Sequence, residues 1–350
     1  MFMDLEKVRA TDNAGNSVVL GTFVYKIDTV DPIVTLTSSA SDIITQLTSG
    51  YVVTADVTDE TGGSGINRIY VVDPSNPNSI IAVGAFTSAP HATVTIPTSV
   101  FSEEKQYVFA ILSEDNAGNI GTSREISVWY DHTAPTLTKG YGETDELTCN
   151  GASTVDDVFY FNATKTLTLT MTAEDGETGT GVKAVEYAVV NGHVTSVTGT
   201  LSWNTIANTI SDKWEGVVSD FNEKDDGKYT IFVRAKDQAG NVSELQYMQV
   251  VLDKAAPIFT ETTATEINAE NESFASDDFT LTGILTEENI ASENIVRTYK
   301  LDDTEKGNAD FTWNTTTHKW TLTQDNVPTD EGTSATYAYT LSATDYAGNV

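Results

Sequence analysis

The 350-residue sequence contains one cysteine, Cys149, so no intramolecular disulfide can form; no cysteine-enzyme signature surrounds it, and it reads as a small filler residue. Basic residues are scarce, 19 Lys and Arg against 51 Asp and Glu, for a formal net charge of −32. Nucleic acid and anionic lipid are held by clustered Lys and Arg, so no nucleic-acid partner is expected. No run of eighteen apolar residues occurs, and no direct membrane insertion is expected. The opening residues 1–7 (MFMDLEK) lack the basic and apolar regions of a secretory leader. No amphipathic helical period of ten or more residues appears. The four histidines, His91, His132, His193 and His318, fall in separate segments without metal-ligand spacing, and His132 and His318 are expected to be exposed. There is no Gly-x-Ser-x-Gly, phosphate loop or dinucleotide fingerprint. The chain is therefore read as not an enzyme.

Hydrophobic residues make up 39% of the chain and aromatics 9%, enough to build cores. Their pattern alternates. Val53, Ala55 and Val57 interleave with Thr and Asp; Leu167, Leu169, Met171 and Ala173 with Thr and Glu; Phe279, Leu281, Gly283 and Leu285 follow the same rule. Period two marks a strand with one buried face.

These strands recur within a long repeat. Asp-x-Ala-Gly-Asn occurs at 12–16, 115–119, 237–241 and 345–349. Tyr107, Tyr229 and Tyr337 lie eight residues before the Asp of their copies. Asp28, Asp131 and Asp253 lie sixteen residues after it, and Pro32, Pro135 and Pro257 follow four residues later. The Asn-to-Asn period is 103, 122 and 108 residues. That is the size of one β-sandwich domain, about 100 residues, and too long for a solenoid unit or propeller blade.

Each motif residue has a physical task. Gly15, Gly118, Gly240 and Gly348 sit where a tight turn between the last two strands needs positive φ. The flanking Asp and Asn can bond local backbone. A tyrosine at the start of the penultimate strand matches a tyrosine corner, whose hydroxyl ties down a neighbouring loop. The proline cannot donate to a ladder, so it belongs at a strand entry, and the three-residue links before it predict a semi-rigid connection.

On these residues the chain resembles the bacterial Ig-like domain families, which carry Asp-x-Ala-Gly-Asn followed by a closing Asp-x-x-x-Pro. The resemblance implies an all-β fold of tandem immunoglobulin-like Greek-key β-sandwiches, arranged as an elongated rod. The expected division is a partial module at 1–30 (the final hairpin only), modules at 31–131 and 132–253, and a module lacking its last strand at 254–350. Export and anchoring signals are expected outside this piece, whose repeat starts and stops part-way. The implied role is a structural stalk of a bacterial surface or secreted adhesin-like protein, extracellular, whose partners are neighbouring repeats. Alternatives are an array binding a host glycan or protein, a spacer in a secreted carbohydrate-active enzyme, and a fibre in which residues 17–28 complete the open third module of another copy.

In such a sandwich the loop after the second strand and the final hairpin turn lie at the end where the previous module arrives. That geometry gathers oxygen donors: Asp28, Asp31, Asp59, Glu60, Asp115 and Asn119 at the first junction; Asp131, Asp175, Glu177, Asp237 and Asn241 at the second; Asp253, Glu287, Glu288, Asp345 and Asn349 at the third. Converging hard oxygens suit Ca²⁺, the one cofactor the sequence suggests; solvated acidic loops are the alternative. Trp203, Trp214, Trp313 and Trp320 recur at matching places in two modules and are expected in the cores, while Trp129 fits either core or surface.

Overall fold

A computed structural model describes residues 9–19, 25–39, 41–45, 47–139, 148–149, 153–197, 199–210, 213–261, 277–290, 292–328, 330 and 333–350. Among them are strands and three single-turn 3₁₀ segments, Thr98–Val100, Phe221–Glu223 and Ser292–Asn294, and no α-helix. The protein is all-β, built of tandem immunoglobulin-like sandwiches. It divides into two compact units. One holds Met1–Pro135, Asp175–Lys183 and Lys236–Val242; the other holds Thr136–Glu174, Ala184–Ala235 and Ser243–Val350.

In the first unit, Arg9–Thr11 pairs with Ser17–Val19 around the first Asp-x-Ala-Gly-Asn turn. A sandwich follows. One sheet orders Ile33–Leu36, Tyr51–Thr58, His91–Ile96 and Ala85–Ser88. The other orders Ser41–Ile44, Ile126–Tyr130, Lys105–Asp115, Ile66–Asp73 and Asn76–Val83, with Ile120–Thr122 on the far end of the third strand. The opening strand is split between sheets: Ile33–Leu36 runs antiparallel to Tyr51–Thr58, and Ser41–Ile44 runs parallel to Ile126–Tyr130.

The alternation seen in sequence becomes burial. Tyr51, Val53, Ala55 and Val57 point inward and the residues between them do not. With Val71, Val94, Ile96, Phe109, Ile111, Ile126 and Val128 they form one core. Fully burying each large aliphatic or Phe side chain contributes about 1.5–3 kcal/mol.

The second unit repeats the plan. Thr136–Lys139, Thr168–Glu174, Lys213–Val217 and Asn208–Ile210 form one sheet; Thr148–Cys149 adds to its second strand. Ser153–Val155, Val158–Phe161, Gln246–Leu252, Gly227–Asp237, Val182–Asn191 and Asn204–Ile206 form the other, and Val158–Phe161 is parallel to Gln246–Leu252. A further pair of sheets follows: Ile258–Glu261, Phe279–Thr286, Lys319–Gln324 and Asp310–Trp313 against Thr304–Asn308, Ile295–Leu301 and Tyr337–Ala343.

Trp214 and Trp320 are buried, as core residues should be. Trp203 and Trp313 are only half-buried: Trp313 still packs against the core of the last pair of sheets, while Trp203 departs from the expectation. The reason at Trp203 is charge: the Arg234 guanidinium lies 3.9 Å from its ring centroid and is held there by Glu186, so the indole forms a lid over a cation rather than part of the core. Trp129 is also half-buried. His132 is exposed, but His318 is half-buried in a hairpin turn at φ 56°, where its carbonyl accepts from Leu285.

Candidate metal centres at the repeat junctions

All four Asp-x-Ala-Gly-Asn turns close in the same way. The Asp carboxylate accepts the Asn backbone N–H on Oδ1 (2.8, 2.9, 2.8 and 2.9 Å) and the Asn side-chain amide on Oδ2 (2.9, 2.7, 2.7 and 2.7 Å). The glycine stands at φ 89–97°, a region only glycine enters without cost. Asp115, Asp237 and Asp345 are buried under this turn. Burial raises the Asp115 carboxyl, but bonds from Asn119, Ala117 and Gly118 outweigh it, and the net shift is downward.

The turn asparagine has a second partner that the sequence reading missed. Asn119 Nδ2 donates to the Asp28 carbonyl (3.3 Å), Asn241 Nδ2 to that of Asp131 (3.1 Å) and Asn349 Nδ2 to that of Asp253 (2.9 Å). Each acceptor is the aspartate that closes the preceding repeat.

The same aspartate side chain reaches the loop after the next module's second strand. Asp28 Oδ2 accepts Ser64 N–H (2.6 Å), Asp131 Oδ2 accepts Thr180 N–H (2.8 Å) and Oγ1 (2.6 Å), and Asp253 Oδ2 accepts Asn289 Nδ2 (2.6 Å). Asp59 and Asp175 cap their own loops by accepting Gly65 and Gly181 N–H, each at 2.6 Å. Two loops share Asp-x4-(Ser/Thr)-Gly, at Asp59–Gly65 and Asp175–Gly181, and this was the available signal for Ser64 and Thr180. A Cβ at Gly63 would lie 2.6 Å from Asp59 Oδ2, so glycine is what lets the carboxylate fold back.

The result is three trios of carboxylates: Asp28, Asp59 and Glu60; Asp131, Asp175 and Asp237; Asp253, Glu287 and Asp345. In each, one oxygen per residue lies within 4.8 Å of the others. Asp31, Glu177 and Glu288 are exposed and join none, and the first trio keeps Asp28, Asp59 and Glu60 of the expected set but leaves out Asp115. The first trio is partly open to solvent, the second is half to fully buried, and the third is buried throughout.

The electrostatics follow. Burial, then the charges of Asp131, Asp237 and Glu104, push Asp175 up to about 6. Burial also raises Asp253 and Glu287. Exposed Glu60 rises to about 7, first through its hydrogen bond with Asp59. Asp28 goes the other way, to about 2, because Ser64 and Val30 N–H groups stabilise its charge. One oxygen, Asp175 Oδ1, is screened from solvent and has no hydrogen-bond partner.

The tyrosines differ among copies. Tyr107 and Tyr229 hydroxyls donate to the carbonyls of Glu103 (3.0 Å) and Asp225 (2.7 Å), four residues earlier in each case. In the last pair of sheets Tyr337 stacks on Tyr339 and Tyr299, and the hydroxyl with a described partner is that of Tyr339, on Gln324 Oε1 (2.8 Å). Beside the two corners lies another recurrence missed in the sequence. Glu104 and Asp226, three residues before Tyr107 and Tyr229, accept the backbone N–H of His132 (2.9 Å) and Lys254 (3.2 Å), the residues just after the closing aspartates. Pro32 lies at its strand entry against the backbone of Gly121; Pro135 and Pro257 each precede the first residue or two of a strand.

Residues 142–254 match the family described as "Bacterial Ig-like domain". No curated protein matches the chain. Solved structures of similar fold include fibronectin(III)-like modules of Clostridium thermocellum CbhA (17% identity, 64% of this chain and 95% of that one, TM-score 0.34). Others are a tetra-tandem repeat in the extending region of a large adhesion protein (17%, 97% and 77%, TM-score 0.31) and part of a 1.5-MDa bacterial ice-binding adhesin studied for host cell surface retention (17%, 92% and 95%, TM-score 0.37).

Proposed function

We propose that this chain, which carries a bacterial Ig-like domain at residues 142–254 and the same residue framework on either side of it, is a non-catalytic repeat region of a bacterial surface or secreted adhesin-like protein, with Ca²⁺ held at the repeat junctions. In this reading the modules run 31–131, 132–253 and 254–350, and they space a distal binding part away from the cell. The observation that carries the reading is the recurrence, at each junction, of a closing aspartate gathered with carboxylates of the next module's loops.

The donor set fits a hard divalent cation. It is all oxygen, it comes from three separate segments at the second and third junctions and from two at the first, and in the second and third it is largely withdrawn from water. Three carboxylates brought together and desolvated repel one another, and a cation of 6–8 oxygen coordination offsets both costs. Asp175 Oδ1, screened and unpartnered, is an oxygen with no other occupation. Asp131, Asp175 and Asp237 would hold one ion, Asp253, Glu287 and Asp345 another, and Asp28, Asp59 and Glu60 a weaker third. Because the closing aspartate belongs to one repeat and its companions to the next, a bound ion would stiffen the connection.

Calorimetric melting of the full chain in millimolar Ca²⁺ and in EDTA tests this. A transition that rises with Ca²⁺ and falls with EDTA supports it; identical melting in both rejects the metal.

A further inference from the structure

The repeat junctions differ in what holds them. In the last Asp-x-Ala-Gly-Asn turn the variable position is Tyr346; in the two turns before it the residue is Gln238 and Asn116. The backbone at this position is fastened alike in all three. Tyr346 N–H donates to the Asn289 carbonyl (2.7 Å), Gln238 N–H to that of Gly181 (3.0 Å) and Asn116 N–H to that of Gly65 (2.9 Å). Only the side chain changes.

Tyr346 reaches the preceding sandwich. Its ring centroid lies 5.1 Å from that of Tyr160 at an interplanar angle of 57°, a separation at which aromatic rings attract. Tyr160 stands on Val158–Phe161, and both tyrosines belong to the same compact unit. The loop after that strand is held in shape by its own bonds. Asn162 Oδ1 accepts Thr164 N–H (3.0 Å) and Oγ1 (2.7 Å), and Asn222 Nδ2 donates to the Lys165 carbonyl (2.8 Å). The side-chain ends of Lys165 and Asn162 come within 3.7 and 3.8 Å of the point a Cβ on Gly348 would occupy, so this loop also meets the final turn.

The second junction offers a direct comparison. Ile43 pairs with Trp129 as Tyr160 pairs with Val251, each one residue before the strand position that precedes the closing aspartate. The counterparts of Tyr160 and Tyr346 are therefore Ile43 and Gln238. Neither is aromatic, and Ile43 stays 40% exposed.

We infer that Tyr160 and Tyr346 form a latch that fixes the last pair of sheets on the second sandwich without any ion. Asp253, Glu287 and Asp345 are buried at the same junction, and their charges repel one another when no cation offsets them. The ring contact is uncharged, so a chelator takes nothing from it, and it is favoured by the exclusion of water. Tyr346 adjoins Asp345 in the chain, which puts the attraction where the repulsion acts. The latch goes beyond the metal reading and does not depend on it.

Distances between two spin labels test this. Cysteines are placed at exposed Glu215 and Lys319, one in each body, in a Cys149→Ser chain, and double electron–electron resonance is recorded in EDTA. The expected result for the parent is a single narrow distance peak. Tyr160→Ile and Tyr346→Gln install the residues of the second junction, which the same fold already carries there, and each should lose that peak to a broad distribution. The two together should be no broader than either alone, because both remove one contact. Melting of each variant confirms that it remains folded. A parent that is already broad in EDTA overturns the inference. So do folded variants as narrow as the parent, or a double variant broadened by the sum of the two.

Discussion

The side-chain amide of Asn349 donates to the main-chain carbonyl of Asp253, 2.9 Å away and 96 residues earlier in the chain. The same amide holds Asp345 at 2.7 Å. One residue therefore closes a turn and fastens that turn to the end of the preceding repeat. Replacing Asn349 or Asn241 by Ala removes both links and leaves a buried carboxylate short of a donor. The expected loss is about 1–3 kcal/mol in denaturant unfolding. It should be accompanied by faster proteolysis in the adjoining linker, at 254–256 or 132–134 respectively, which loss of stability elsewhere would not produce.

Asp175→Asn separates the roles of the second trio. The amide keeps an oxygen to cap Gly181 but removes one of three crowded charges. In EDTA the variant should melt at a higher temperature than the parent. In Ca²⁺ it should gain less. A larger response to Ca²⁺ in the variant than in the parent would contradict the assignment.

The pH dependence of the metal-free protein has a definite sign. Asp175, pushed up to about 6, and Glu60, to about 7, bind protons more tightly folded than unfolded. Their contribution is present in full below about 4 and is lost as pH rises through 6 to 7. Stability in EDTA should therefore increase from pH 7.5 to pH 5. Below about pH 4 it should fall again, as Asp28 and Asp115, whose pKa values are lowered, become protonated. Saturating Ca²⁺ should flatten the upper limb. Urea midpoints measured across this range check each part.

Tyr229→Phe removes the 2.7 Å bond to the Asp225 carbonyl from a buried ring and should cost about 1 kcal/mol. Tyr337→Phe should cost less, because its ring stacks on Tyr339 and Tyr299 without a described corner bond. Urea unfolding of the two variants compares them directly.

Gly283→Ala places a methyl against the Thr260 carbonyl and 2.6 Å from the Trp320 ring. A backbone oxygen cannot swing aside, so the expected cost exceeds the 1–3 kcal/mol typical of overpacking. Gly118→Ala, in open space but at φ 94°, should cost less. Melting of both variants ranks strain against clash.

The strands were legible because alternation at Val53–Val57 or Leu167–Ala173 is a local pattern with one physical cause, a half-buried pleat. The glycine turns and the corners at Tyr107 and Tyr229 were legible because fixed spacing survives in sequence. The second bond of Asn241 was not: an asparagine in a turn already has a sufficient local explanation, and its other partner lies 110 residues away. Nor could spacing reveal that Asp115 would stay out of the first trio, since it repeats the motif faithfully and makes the same turn bonds as Asp237 and Asp345, which join theirs. Trp203 and Trp214 look alike in sequence. Only the placing of Arg234 separates the half-buried indole from the buried one.

The split opening strand has a mechanical consequence. Ser41–Ile44 lies parallel to Ile126–Tyr130, and Val158–Phe161 lies parallel to Gln246–Leu252. Tension applied to the two ends of either sandwich would drag such a pair in opposite directions along its length. The hydrogen bonds between the two strands would then load together in shear, instead of parting one after another as a hairpin does when unzipped.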